Sequence, residues 1–137
     1  MTEGRVNKIL AAIIFTIMLV IYLQTVAPTL SFWDCGEFIA TSHIMGIPHP
    51  PGSPMLSIIG RVMSLVPFSD YRGSGTTEIA YRVNLLDVLL GALTVMLTYL
   101  IMVKLIHRFR PSTGSKIEAS IVFFSSAVAA FMVGFAD

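Results

Sequence analysis

The chain has 137 residues, of which 55% are hydrophobic and 12% charged; its formal net charge is +1 and its mean hydropathy +0.80. Because charged residues make up roughly a quarter of a soluble domain, this composition excludes an ordinary soluble protein and predicts an integral membrane protein. The length leaves room for about three spans of about 20 residues each and one sizeable loop. No basic patch is interleaved with aromatic residues, which excludes nucleic acid as a partner.

The first apolar run extends from Ile9 to Ala27 and follows the basic residues Arg5 and Lys8. Its length matches a bilayer core, since a helix rises about 1.5 Å per residue. A cleaved signal peptide is the alternative, but the run is long for the apolar core of such a peptide, and Pro28 follows the small residues at which cleavage would have to occur. We therefore predict a transmembrane helix at about 9–27.

Residues 28–82 are predicted to form a loop that carries short amphipathic helices. The segment 47–54 cannot be regular helix, because its prolines lack the amide donor and restrict the residues before them. Ser53 and Pro54 are typical of an N-cap and first turn, and Pro67 ends the helix that they open. The segment 68–77 is predicted to be a flexible loop.

The helix after Ser53 is predicted to be strongly two-faced. Its apolar side consists of Met55, Leu56, Ile58, Ile59, Val62, Met63, Leu65 and Val66, and its polar side of Ser57, Gly60, Arg61 and Ser64. Such a short helix suits the membrane interface. An ordinary amphipathic helix on a folded loop would have the same pattern, so both interpretations stay open.

Two further spans are predicted at about 83–103 and 119–136. The first carries a stripe of small and polar residues, and the second has three small residues close to one face; such faces pack membrane helices together. They are Asn84, Asp87, Gly91, Thr94 and Thr98, and then Ala119, Ser126 and Ala130. Basic residues between these spans, with those before the first, predict a cytoplasmic N-terminus, a cytoplasmic loop 104–118 and an extracytoplasmic loop 28–82.

Asp34 and Glu37 are the first candidates for chemistry, because two carboxylates three residues apart on a helix point to nearly the same side. They could act as general base on an acceptor hydroxyl or bind a metal. The alternative is a capping box, in which Asp34 caps a helix and Glu37 bonds back to it.

Other candidates have plain structural alternatives. His43 and His49 could join the acids at a metal, but their spacing matches no metal motif and favours surface or packing roles. Asp87 lies about one turn inside a span, where an acid suggests function; a structural ion pair with Arg82 or Arg61, or a hydrogen bond across helices, is the alternative. The single cysteine, Cys35, permits no intrachain disulfide, and we interpret it as a packing residue rather than a nucleophile.

Three motifs in this order resemble a known family. They are Pro28 to Phe38 (PTLSFWDCGEF), Gly46 to Pro54 (GIPHPPGSP) and Arg82 to Leu86 (RVNLL). Together they resemble the N-terminal part of the domain-of-unknown-function 2723 family, which comprises bacterial polytopic membrane proteins and animal protein O-mannosyltransferases of the transmembrane protein 260 kind. That family is similar to the C-type glycosyltransferase superfamily, whose members keep an acidic residue in the first extracytoplasmic loop.

The resemblance implies an all-α polytopic helical bundle of the C-type glycosyltransferase kind, of which residues 1–137 are the N-terminal part and inactive alone. It also implies an enzyme that moves a sugar, here expected to be mannose, from a polyprenyl-phosphate donor to a protein hydroxyl outside the cytoplasm. Asp34 and Glu37 are the implied catalytic residues. We add Arg61 for the donor phosphate, because guanidinium groups match phosphate oxygens, and leave His49, Arg82, Asn84 and Asp87 as site or structural residues.

No cofactor is expected, although a divalent metal stays open, since related enzymes differ in this respect. The expected partners are the polyprenyl-phosphate-linked sugar, an acceptor protein and the lipid bilayer. We expect a bacterial inner membrane rather than the endoplasmic reticulum. The alternatives are a non-catalytic membrane assembly subunit, which would use the stripe of the second span, and a lipid-carrier transporter with Asp87 in its path.

Overall fold

The computed structural model describes residues 3–31, 33–67, 78–109 and 115–136. In these ranges the chain forms five α-helices: α1 (Glu3–Thr25), α2 (Cys35–Ile44), α3 (Pro54–Leu65), α4 (Glu78–Phe109) and α5 (Lys116–Gly134). Helices α1, α4 and α5 are long and apolar enough to cross a membrane. The prediction of an all-α membrane protein with three spans is thereby confirmed. The predicted flexible loop 68–77 lies outside the described residues.

Each of the three long helices begins before its predicted apolar run, and α4 also ends after it. α4 has 32 residues and is therefore about 48 Å long, against about 30 Å for a hydrocarbon core. Its first and last turns contain charged residues but no glycine or proline, so nothing in the sequence ends the helix where the apolar run ends. Hydropathy locates the membrane-crossing part of such a helix and misses its polar ends.

The chain divides into two compact units, of which the first comprises Met1–Tyr22 and Leu89–Asp137. Its core lies between α1, α4 and α5, and Met18, Ala92, Tyr99 and Ala130 are fully buried there. The Tyr22 hydroxyl donates to the Gly134 carbonyl oxygen at 2.7 Å. The three small residues predicted on one face of α5 (Ala119, Ser126 and Ala130) are all buried.

Only part of the polar stripe predicted on α4 packs within this chain: Asn84 is buried, and an added Cβ at Gly91 would lie 3.0 Å from the Tyr22 ring. The buried line of α4 in the first unit consists of Ala92, Val95, Tyr99 and Val103, whereas Thr94 is exposed. The Thr94 and Thr98 hydroxyls each donate to the carbonyl oxygen four residues earlier, at 2.8 Å. Because these hydroxyls are satisfied within their own helix, the threonines need no partner helix. The prediction of a packing stripe thus agrees with Asn84 and Gly91 and stays a prediction for Thr94 and Thr98.

The second unit comprises Leu23–Val88. In it α2 packs closely against α3, and Ile39, Ala80 and Val83 form a small core. The approach is closest at Gly60, where an added Cβ would lie 2.6 Å from the Ser42 hydroxyl oxygen. Glycine is required at this position because any side chain would meet α2.

Helix α3 begins at Pro54 after the Ser53 N-cap and ends before Pro67, as predicted, but its polar side faces inward. Its buried residues are Ser57, Gly60 and Ser64. Its apolar side is exposed: Met55 is 70% exposed, Ile58 52%, Val62 59% and Leu65 61%. A surface helix of a water-soluble protein buries its apolar side instead. This reversal argues against an ordinary amphipathic helix on a soluble loop and favours contact with the membrane.

Candidate functional site

Asp34 follows a backbone reversal at the start of α2. Trp33 has a φ of 62°, which costs a non-glycine residue about 1–2 kcal/mol. Asp34 occupies the N-cap position, as the capping alternative predicted, but its side chain makes no capping hydrogen bond. Its backbone carbonyl oxygen instead accepts from the Phe38 N–H at 3.0 Å. The carboxylate, 60% exposed, is therefore not used by the helix.

Glu37 does not complete a capping box either. Its Oε1 accepts from the backbone N–H of His49 at 2.7 Å, and its Oε2 lies 2.9 Å from His49 Nδ1. Both oxygens of this carboxylate are thus directed at one residue of the proline-rich segment. The capping-box prediction is wrong because the ring and amide of His49 offer Glu37 two donors at once.

The turn after α2 brings His49 back to the start of that helix. Met45 ends α2 in the left-handed conformation with a φ of 58°, and the Gly46 N–H donates to the Thr41 carbonyl oxygen at 2.8 Å. A second turn, closed by a 2.9 Å hydrogen bond from the Gly52 N–H to the His49 carbonyl oxygen, uses a φ of 81° at Gly52. As a result, His49 Nε2 lies 4.0 Å from Asp34 Oδ2.

The three side chains form an electrostatic cluster, which we call the Asp34–Glu37–His49 cluster. The hydrogen bond to His49 lowers the pKa of Glu37, and the Glu37 carboxylate raises the pKa of His49, with a smaller contribution from Asp34. The His49 ring also lies against Phe38, with ring centroids 5.7 Å apart. All three groups are open to solvent.

A divalent metal is compatible with these distances. One ligand atom from each of the three residues lies within 4.8 Å of the others, and carboxylate with imidazole is a donor set that zinc and other transition metals accept. The expectation of no cofactor stays a prediction. His43 is not part of this cluster, because its Nδ1 lies 3.2 Å from the Ser64 hydroxyl.

Arg61 and Arg82 both contact backbone in the described part of the chain. An Arg61 guanidinium nitrogen donates to the His43 carbonyl oxygen at the end of α2, and Arg82 Nη1 donates to the Ser64 carbonyl oxygen at 3.0 Å. In the described part of the chain His49 forms ion pairs with Glu37 and Asp34; the ion-pair alternative for Asp87 stays a prediction. Asp87 itself is exposed. The phosphate-binding role of Arg61 stays a prediction.

Asn84 has a structural position. It is buried at 7% exposure, and its Nδ2 donates to the carbonyl oxygens of Ala27 at 2.9 Å and Thr29 at 3.0 Å. Its Oδ1 lies 3.8 Å from the Cys35 thiol sulfur. Asn84 therefore ties α4 to the segment that leads to Asp34, and the half-buried Cys35 packs against it, in agreement with its interpretation as a packing residue.

An apolar pocket of about 410 Å³ lies beside the proline-rich segment and the start of α3. The lining includes Ile47, Pro48, Pro51, Pro54 and Ile58. Pro48 and His49 are neighbours in the chain, so the pocket lies next to the segment that supplies His49.

Helices fit to span a membrane, together with a loop that presents a carboxylate cluster, define a multi-span membrane protein with a candidate acid–base site. A family model described as the protein O-mannosyl-transferase TMEM260 N-terminal domain matches residues 34–137. The chain belongs to this family. The match begins at Asp34 and includes both other members of the cluster.

Two relatives bear the same name. The chain is 29% identical to the protein O-mannosyl-transferase tmem260 of Dictyostelium discoideum over 89 residues, which are 64% of this chain and 10% of that protein. It is 32% identical to the protein O-mannosyl-transferase TMEM260 of Mus musculus over 87 residues, 63% of this chain and 11% of that protein. The chain thus spans about a tenth of either relative's length. Both relatives are eukaryotic and lend no support to the expected bacterial membrane. No solved structure matches the chain.

Proposed function

We propose that this chain is the N-terminal part of a membrane glycosyltransferase that moves a sugar, expected to be mannose, to a hydroxyl group of a protein. The relatives' name supports the transfer of mannose to protein. The observation that carries the proposal for this chain is the Asp34 carboxylate: it is exposed, it caps no helix, and Asn84 ties down the segment before it.

In the proposed reaction Asp34 acts as general base. It takes the proton of the acceptor hydroxyl while the hydroxyl oxygen forms a bond to the anomeric carbon of the sugar. The bond from that carbon to the phosphate oxygen breaks, and the lipid phosphate leaves with its electron pair. Oriented general bases of this kind contribute about 10²- to 10⁴-fold to a rate.

A polyprenyl-phosphate donor suits the surroundings of this site. The apolar pocket beside the proline-rich segment and the exposed apolar side of α3 offer surfaces for a prenyl chain near the membrane. Arg61 is our candidate for the donor phosphate. Basic residues lie in the first turns of α1 (Arg5 and Lys8) and at the adjoining ends of α4 and α5 (Lys104, Arg108 and Lys116), and they support an extracytoplasmic position for the loop.

The test is transfer of radiolabelled mannose from polyprenyl-phosphate mannose to protein, in membranes that contain the full-length protein. Asp34→Asn should abolish transfer at unchanged expression, whereas Glu3→Gln, which removes a carboxylate at the start of α1, should leave it intact. Normal transfer by Asp34→Asn would exclude Asp34 as base. If Asp87→Asn abolished function while Asp34→Asn left it normal, the lipid-carrier transporter would be favoured instead. If no protein transferred mannose although the positive control worked, the assembly subunit would be favoured.

A further inference from the structure

The Glu37 carboxylate holds the His49 residue at two points. One oxygen accepts the backbone N–H at 2.7 Å, and the other lies 2.9 Å from ring atom Nδ1. An anionic carboxylate only accepts hydrogen bonds, so Nδ1 must carry the proton of that contact. Glu37 thereby selects the tautomer of neutral His49 in which Nε2 is the unprotonated nitrogen.

The remaining nitrogen faces the proposed base. His49 Nε2 lies 4.0 Å from Asp34 Oδ2, a separation that one water or a small rotation of the exposed Asp34 side chain closes. The Phe38 ring lies beside the His49 ring, with the two planes tilted by 59°. Because both oxygens of Glu37 are occupied, Glu37 is poorly placed to act on a substrate directly.

We propose, resting on the proposed function, that His49 Nε2 receives the proton that Asp34 takes from the acceptor hydroxyl, and that Glu37 is the positioning residue for His49. This differs from the expectation that Glu37 itself is catalytic. After sugar transfer Asp34 is protonated and His49 is neutral. The proton then moves from Asp34 Oδ2 to Nε2, which restores the Asp34 carboxylate and leaves an imidazolium paired with Glu37. Water takes the proton from His49 before the next turnover.

The surroundings of His49 favour this role. The charged groups that act on it are Glu37 and Asp34, both at the start of α2, and the proline-rich segment 47–54 contains no other titratable side chain. The hydrogen bond to Glu37 raises the pKa of His49, so the neutral imidazole accepts a proton from Asp34 more readily than it would without Glu37. Exposure of the ring, at 49%, lets water remove the proton afterwards.

The test compares His49→Gln and Glu37→Gln with the unaltered full-length protein in the mannose-transfer assay. We expect kcat to fall at least about tenfold in His49→Gln while KM for the acceptor stays constant. At low pH a protonated His49 cannot receive a proton, so kcat of the unaltered protein should fall there; Glu37→Gln should move this fall to lower pH. His107→Gln, in the last turn of α4, is the matched control and should change neither kcat nor its pH dependence.

Chemical rescue separates this role from a structural one. In His49→Ala, added imidazole should restore part of kcat, because the site is open to solvent, and a misfolded variant would show no such rescue. If His49→Gln transferred mannose normally with an unchanged pH profile, the inference about His49 would be overturned. The proposed function would still stand if Asp34→Asn were inactive. Transfer that EDTA abolishes and Mn²⁺ restores, in a manner dependent on His49, would also overturn it. Normal transfer by Asp34→Asn would overturn the proposed function itself.

Discussion

Asn84 of α4 donates from Nδ2 to the carbonyl oxygen of Ala27 at 2.9 Å. The same nitrogen reaches the Thr29 carbonyl oxygen at 3.0 Å, so one buried amide satisfies two backbone acceptors in the segment between α1 and α2. A partly buried carbonyl that loses its partner destabilises the fold. The position of the Asp34 carboxylate thus depends on a residue fifty positions later in the chain.

Replacing Asn84 with alanine should destabilise this region, since it removes both hydrogen bonds and the contact to Cys35. We expect a loss of about 1–3 kcal/mol and faster reaction of the Cys35 thiol with a maleimide reagent. Thr94→Ala on the same helix removes only a hydroxyl bonded within α4 and should leave the labelling rate unchanged. Equal rates in Asn84→Ala and the unaltered protein would contradict the role assigned to Asn84.

Gly60→Ala should loosen the packing of α2 on α3. The added Cβ would lie 2.6 Å from the Ser42 hydroxyl oxygen and 2.8 Å from its Cβ, so the helices must move apart at a cost of about 1–3 kcal/mol. The measurement is the melting temperature in detergent. Gly4→Ala, where an added Cβ meets no atom within 4 Å, is the control. A Ser42→Gly change combined with Gly60→Ala should restore most of the loss.

Glu37→Gln should lower the pKa of His49 toward its ordinary value of 6.5, because the carboxylate is the main cause of the raised pKa. NMR titration of the ring measures this directly, and an unchanged titration midpoint would exclude the contact. The sign for stability follows from both shifts. The raised pKa of His49 stabilises the fold below pH 6.5 and the lowered pKa of Glu37 above pH 4.5, so the pair contributes most between these values.

Spin labels on α3 should distinguish lipid from water around its apolar side. In a Cys35→Ser background, we attach a spin label at Val62, which is 59% exposed. Oxygen dissolved in lipid should accelerate the relaxation of this label, and a water-soluble nickel complex should not. A label at Ser57, on the buried side of α3, should be protected from both, and one at Ser115, which is exposed at the start of α5, should respond to nickel. Faster relaxation of the Val62 label in the presence of the nickel complex would show that the apolar side of α3 faces water.

The apolar runs were sufficient to predict the three long helices, because length and hydropathy alone determine whether a helix can cross a bilayer. The Ser53–Pro54 start and the Pro67 end of α3 followed from local backbone chemistry in the same way. The inward direction of its polar side did not follow, since a hydrophobic pattern defines two faces without saying which one meets protein. That choice depends on Ser42 and Gly60, which lie on different helices.

The candidate site was predictable only in part. Asp34 and Glu37 are close in sequence, so their common side could be expected. The role of His49 depends on turns at Met45 and Gly52 that return the chain to α2, and propensity does not indicate how far such a segment folds back. The signal available in the sequence was that His49 is the one titratable residue among the prolines of 47–54.

The outward apolar side of α3 has a consequence for how the protein is inserted into the membrane. Twelve residues are too few for a span of about 20, yet their apolar side would promote aggregation if left in water. Its buried side also carries Gly60, which lies against Ser42 of α2, and Ser64, whose hydroxyl lies 3.2 Å from His43 Nδ1 of α2. We therefore expect α3 to take its place late, as a hairpin with α2 after the first span has been inserted, and the segment between α1 and α4 to precipitate when it is produced as a separate soluble fragment.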